Sequence, residues 1–81
     1  MDDRDVLGRI SALVDEEHRL RQRRLGGELS ADDEQARLRD VEEALDQCWD
    51  LLRRRRAARE QGGDPDAEQV RDTSTVETYL Q

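Results

Sequence analysis

Val6, Leu7, Ile10, Leu13, Val14 and Leu20 recur at three- and four-residue intervals along the start of the chain. At about 100° per residue they fall within an arc of about 140°, the stripe of an amphipathic helix. Asp2, Asp3 and Asp5 supply cap oxygens and favourable charge at its start, and Arg19, Arg21, Arg23 and Arg24 suit the negative end of its dipole. Gly26 and Gly27 end it. A second stripe of Leu38, Val41, Leu45, Cys48, Trp49 and Leu52 spans an arc of only about 100°. Ser30 stands at its N-cap with Asp33 three residues on, resembling a capping box with Asp in place of Glu. Gly62-Gly63 and Asp64-Pro65 break it. The pattern predicts an all-α chain with helices over about 3–25 and 31–61, a loop over 26–29, and a hairpin domain over 1–63.

Both helices begin acidic and end basic, so charge favours antiparallel pairing. The arginines of the first helix then meet Asp32, Asp33 and Glu34, and those of the second meet Asp2, Asp3 and Asp5. A turn near Gly27 places Leu52 opposite the start of the first helix, leaving Arg53 to Arg59 as an overhang. A two-helix layer leaves each stripe half exposed, so the expected assembly is a homodimeric four-helix bundle. Its oligomer core is expected at Ile10, Leu13, Leu20, Leu38, Val41, Leu45, Cys48, Trp49 and Leu52. Two other arrangements compete with it: a hairpin that folds on a different partner, and a monomer covered by its own tail. Glu17 interrupts the first stripe, with Arg21 four residues on, and Glu34 lies in the second stripe near the same level. They are read as a polar layer that sets register or partner choice, with ligand binding as the alternative.

Of the residues, 43% are charged and 33% hydrophobic, close to the disordered class, so the pattern alone argues for a fold. The net charge of −7 argues against non-specific attraction to nucleic acid or anionic membrane. All 14 basic residues are Arg, a feature read mainly as the codon bias of a GC-rich genome. A single cysteine excludes an internal disulfide. No apolar run has the ~18 residues of a membrane span, and no signal-peptide pattern opens the chain, so a cytoplasmic setting is expected. Residues 64–81 carry five acids against one Arg and are expected to be a flexible acidic tail, largely extended or disordered, with at most a short helical turn near Ala67–Val70.

The densest local feature is the run Arg53, Arg54, Arg55, Arg56 and Arg59. It is either a docking site for phosphate, nucleic acid or an acidic protein, or a solvated helix end that complements the dipole. No aromatic residues interleave it, so a stacking platform for single strands is unsupported. The acidic tail, with Thr73, Ser74 and Thr75 as sites where phosphorylation would add charge, is a further candidate to fold back on it. Asp15 and His18 lie one turn apart, and with Glu34 or Glu42 of a second copy they would resemble a carboxylate–histidine metal site. Asp replaces the usual Glu and His18 lies at the edge of the stripe, so a solvated histidine is the preferred reading. Cys48 reads as a small buried hydrophobe, and Trp49 as an anchor of the dimer core or a partner-binding hot spot. No Ser-His-Asp set, phosphate loop, CxxC or dinucleotide fingerprint occurs. Binding rather than catalysis is expected, with no cofactor, an unknown protein partner, and nucleic acid as the alternative.

The stretches DVLGRISALVDEEHRLR, LDQCWDLLRRRRAARE, DPD and VETY together resemble the domain of unknown function 2630 family, small proteins of actinobacterial-type genomes. The most specific parts are EEH and the segment Leu45 to Leu52 followed by four arginines. The resemblance covers nearly the whole chain and implies no activity. It directs interest to His18, Trp49 and the arginine run.

Overall fold

The computed structural model describes residues 2–72 and 76. Thr73, Ser74, Thr75, Tyr79 and Leu80 lie outside the described residues. Helix α1 runs over Asp3–Leu25 and helix α2 over Ala31–Glu60, and a single 3-10 turn follows at Pro65–Ala67. The two helices pack against each other as a hairpin.

The caps explain the helix bounds. Asp5 N–H donates to Asp2 Oδ1 at 2.9 Å and Asp2 N–H donates to Asp5 Oδ2 at 3.0 Å, so the reciprocal capping box closes at α1. At α2, Ser30 Oγ accepts from Asp33 N–H at 3.1 Å. Gly27 ends α1 with φ +79°, a left-handed conformation that a β-carbon would strain, and Glu28 N–H donates to Arg23 O at 2.9 Å. Gly62 does the same for α2 with φ +76°, and Gly63 N–H reaches back to Ala58 O at 2.7 Å.

Two apolar clusters hold the hairpin. Val6, Ile10, Cys48 and Leu51 form one, and Leu20, Leu29 and Val41 form the other. Leu13 and Leu45 pack against both and join them. Leu38 and Leu52 are partly buried at the margins. Leu51 and the loop residue Leu29 lie outside the two stripes, yet both are buried. Leu51 faces a third segment that the stripes do not anticipate: the chain after α2, whose Val70 lines a groove with Val6, Ala44, Cys48 and Leu51.

The described part of that segment has no regular structure beyond its 3-10 turn and docks on α2, the fold-back onto the arginine run that the sequence offered for its acidic tail. Its turn comes earlier than Ala67–Val70. Asp64 Oδ1 accepts from Asp66 N–H at 2.9 Å, and Pro65 pre-sets the first helical φ, so the turn starts at Pro65. Val76 is buried as well. The strap covers one face of the helix pair. With principal extents of 51 × 26 × 14 Å, the helices make one layer, about the thickness of a single helix. The opposite face has no covering element among the described residues.

Leu51→Ala is expected to lower unfolding free energy by about 2–4 kcal/mol, because it opens a cavity between the helices and the strap. Leu25→Ala, at a side chain 88% exposed, should change it by less than about 0.5 kcal/mol. Urea titration followed by circular dichroism measures both.

Candidate functional site

The arginine run divides into two sets because successive helical residues point about 100° apart. Arg54 and Arg55 turn toward the strap and α1. Arg55 Nε donates to Asp3 Oδ1 at 2.7 Å, and its Nη1 donates to Asp66 Oδ1 at 3.0 Å and to Pro65 O at 3.1 Å. One buried guanidinium therefore ties α1, α2 and the strap together. Arg59 adds a second contact to the same carboxylate, Nη2 to Asp3 Oδ2 at 2.8 Å. Arg54 Nε donates to the buried carboxylate of Asp50 at 3.0 Å, and its Nη1 donates to Glu68 Oε2 at 2.8 Å. Its Nη2 donates to Gln69 O. Arg71 reaches Asp50 from the strap at 3.8 Å, and Gln47 Nε2 donates to Arg71 O at 3.2 Å.

The electrostatics follow from these contacts. Hydrogen bonds from Arg59 and then Arg55 hold the Asp3 carboxyl below its ordinary range. The same bond to Asp3 raises the Arg55 guanidinium further above neutrality. Of the five arginines of the run, Arg53 and Arg56 are exposed and have no ion pair among the described residues.

Arg53 and Arg56 stand at the rim of the uncovered face. There Asp3, Leu7, Trp49, Leu52, Arg53, Arg56 and Arg59 line a groove of about 240 Å³. Leu7 is 50%, Trp49 45% and Val14 39% exposed, large apolar side chains that neither core cluster takes up. Further along α2, Leu38 shares a second groove with Glu34, Gln35, Arg39 and Glu42. Trp49 thus separates from Cys48, which is buried with its thiol free.

The other expected positions are placed as follows. Arg21 pairs with Glu17 at 3.5 Å, one turn apart on α1. Glu34 is partly exposed and makes no ion pair among the described residues. Asp15 and His18 are both exposed, and the described residues contain no group of three or more His, Cys, Asp or Glu arranged to hold a metal ion. No helix among the described residues is long and apolar enough to cross a membrane. Asp50, Asp66 and Glu68 are polar partners that pattern reading passed over. The i,i+4 spacing of Asp50 and Arg54 was a visible signal for the first.

The family described as "Protein of unknown function (DUF2630)" matches residues 2–81. An uncharacterized protein of Mycobacterium bovis is 49% identical over 77 residues, covering 95% of this chain and 88% of its own length. Uncharacterized proteins of two Mycobacterium tuberculosis strains, CDC 1551 and H37Rv, match to the same extent. No solved structure matches.

The clasp has a pH signature. Asp3 contributes its full stabilisation above the ordinary aspartate value of about 3.9 and loses it as pH falls through its lowered folded-state value. In thermal melts between pH 7 and pH 2, wild type should lose more stability than Asp3→Asn, whose side chain cannot titrate. Parallel profiles would remove Asp3 from the acid response.

Proposed function

The chain belongs to the DUF2630 family of proteins of unknown function, and on its own geometry we propose that it acts by binding protein, as a homo-oligomer, through the uncovered face of its hairpin. The observation that carries this reading is the asymmetry of the two faces. The described part of the strap lies on one. The other presents Leu7, Val14 and Trp49 at 39–50% exposure beside the half-buried Leu38, Leu45 and Leu52. Among the described residues these six side chains have no further element to pack on, and exposed apolar surface rimmed by charge is the usual mark of a protein contact. An indole within such a patch is the residue type that most often dominates contact energy.

Catalysis has no part in this reading. The polar groups brought together in the hairpin are arginines neutralised by carboxylates. The free thiol is buried, and the lone histidine stands in solvent. Polyanion binding is a second reading, and one observation favours it: Trp49 lines one groove with Arg53 and Arg56, neither of which has an ion pair among the described residues. It draws on fewer cations than the sequence offers, since Arg54 and Arg55 are engaged by Asp50, Glu68, Asp3 and Asp66. Binding of this kind weakens steeply with salt and would be lost in Arg53→Gln/Arg56→Gln.

Light scattering coupled to size exclusion tests the first reading. Wild type at micromolar concentration is expected to run at twice the chain mass. Trp49→Ser should run as a monomer with an unchanged helical circular dichroism spectrum. A wild-type protein that is a folded monomer across this range contradicts it.

A further inference from the structure

The uncovered face carries a pattern that selects its own occupant. Leu38, Leu45 and Leu52 follow one another at seven-residue steps along α2. Each step returns to within about 20° of the same direction, so the three form one row. Glu34 stands eleven residues before Leu45 and Arg56 eleven after it. Eleven residues make about three turns, which returns both charges to that row. The row therefore reads acid, Leu, Leu, Leu, base, and it is symmetric in shape and antisymmetric in charge about Leu45. Neither end charge has an ion pair among the described residues.

We infer that a second copy of this chain covers the face, with its α2 lying antiparallel across α2 and Leu45 at the two-fold axis. This rests on the reading that the uncovered face is the contact surface, and it adds the partner's orientation and register. Leu38 then faces Leu52 of the other copy, and Leu45 faces its own counterpart. Glu34 meets Arg56 of the other copy at each end, twice by symmetry. Leu13, which joins the two core clusters alongside Leu45, marks the matching level on α1. On either side of that level Leu7 and Val14 add to the same apolar layer.

Charge discriminates this arrangement from the two others that stack the same faces. A parallel α2 pair puts Glu34 on Glu34 and Arg56 on Arg56, like on like. Stacking α2 on α1 of the other copy brings Arg56 to Asp3, which already holds Arg55 and Arg59. The same stacking brings Glu34 toward Arg21, which already pairs with Glu17. The antiparallel α2 pair joins two opposite charges that have no ion pair among the described residues.

Single-site cysteines read the register directly, with the buried Cys48 left in place. Glu34→Cys, Arg56→Cys and an equimolar mixture of the two are treated with a bis-maleimide spanning about 8–10 Å, the separation of packed helix axes. The mixture should give covalent dimer at least tenfold above either variant alone. Either variant crosslinking to itself overturns the arrangement. So does absence of crosslinking in all three samples while light scattering still finds dimers; the contact surface then stands and the register falls. A monomeric wild type overturns both. As a second arm, Arg56→Glu should weaken dimerisation about tenfold, and Glu34→Arg/Arg56→Glu should restore it. A double variant as weak as the single one counts against the pairing.

Discussion

Two helices side by side make a sheet of side chains with two faces, and neither helix can bury its apolar arc against the other alone. Everything else in this chain answers that constraint. With a shortest dimension of 14 Å there is no interior in the usual sense, only a seam and two faces. The seam takes Ile10, Leu20, Val41 and Cys48. One face is closed by the chain's own continuation, which brings Val70 to the groove over Leu51 and ends its described part at the buried Val76. The other face has no covering element among the described residues.

Charge does the work of attachment where apolar area is short. The strap carries few large hydrophobic residues, so its hold comes from arginine forks: Arg54 gathers Asp50 and Glu68, and Arg55 gathers Asp3 and Asp66. A guanidinium suits this use because its donors are fixed in a plane and reach two acceptors from different segments at once. Lysine at position 55 would present a point charge and would lose the forked geometry that bridges α1 and the strap. Bridges of this kind join segments far apart in sequence, Asp3 and Arg55 being 52 residues apart.

Much of the helical framework is legible in the sequence, because caps and glycines act locally. Ser30, Gly27 and Gly62 mark ends whose hydrogen bonds involve residues within one turn. The antiparallel sense is legible too, from the acidic start of α1 and the basic end of α2, which meet as Asp3 with Arg55 and Arg59. The pairing expected at the other end, of the α1 arginines with Asp32, Asp33 and Glu34, is not among the ion pairs of the described residues, where Arg21 pairs with Glu17 and Arg23 with Glu28. What the pattern concealed was long-range. Leu51 falls outside the arc of about 100° that defines the second stripe, yet it joins Val6, Ile10 and Cys48 in one core cluster and shares a groove with Val70. The strap's own docking depends on hydrogen bonds and ion pairs between residues 10–15 apart in sequence, such as Arg55–Asp66 and Arg54–Glu68, and hydrophobic periodicity carries no record of them. The arginine run looked like one basic surface for the same reason. Its division into Arg54, Arg55 and Arg59, which are engaged, and Arg53 and Arg56, which have no ion pair among the described residues, emerges only when the acids of Asp3, Asp66 and Glu68 are in place.

The single indole of the chain sits on the open face, nearly half in water, and the remaining aromatic is Tyr79. Light absorbed at the red edge of the near-ultraviolet is therefore handled by one chromophore in one location. Its emission colour depends on how many water dipoles relax around it, so any occupant that dries the groove shifts the glow of the whole protein toward the blue. The chain needs no added dye to announce company.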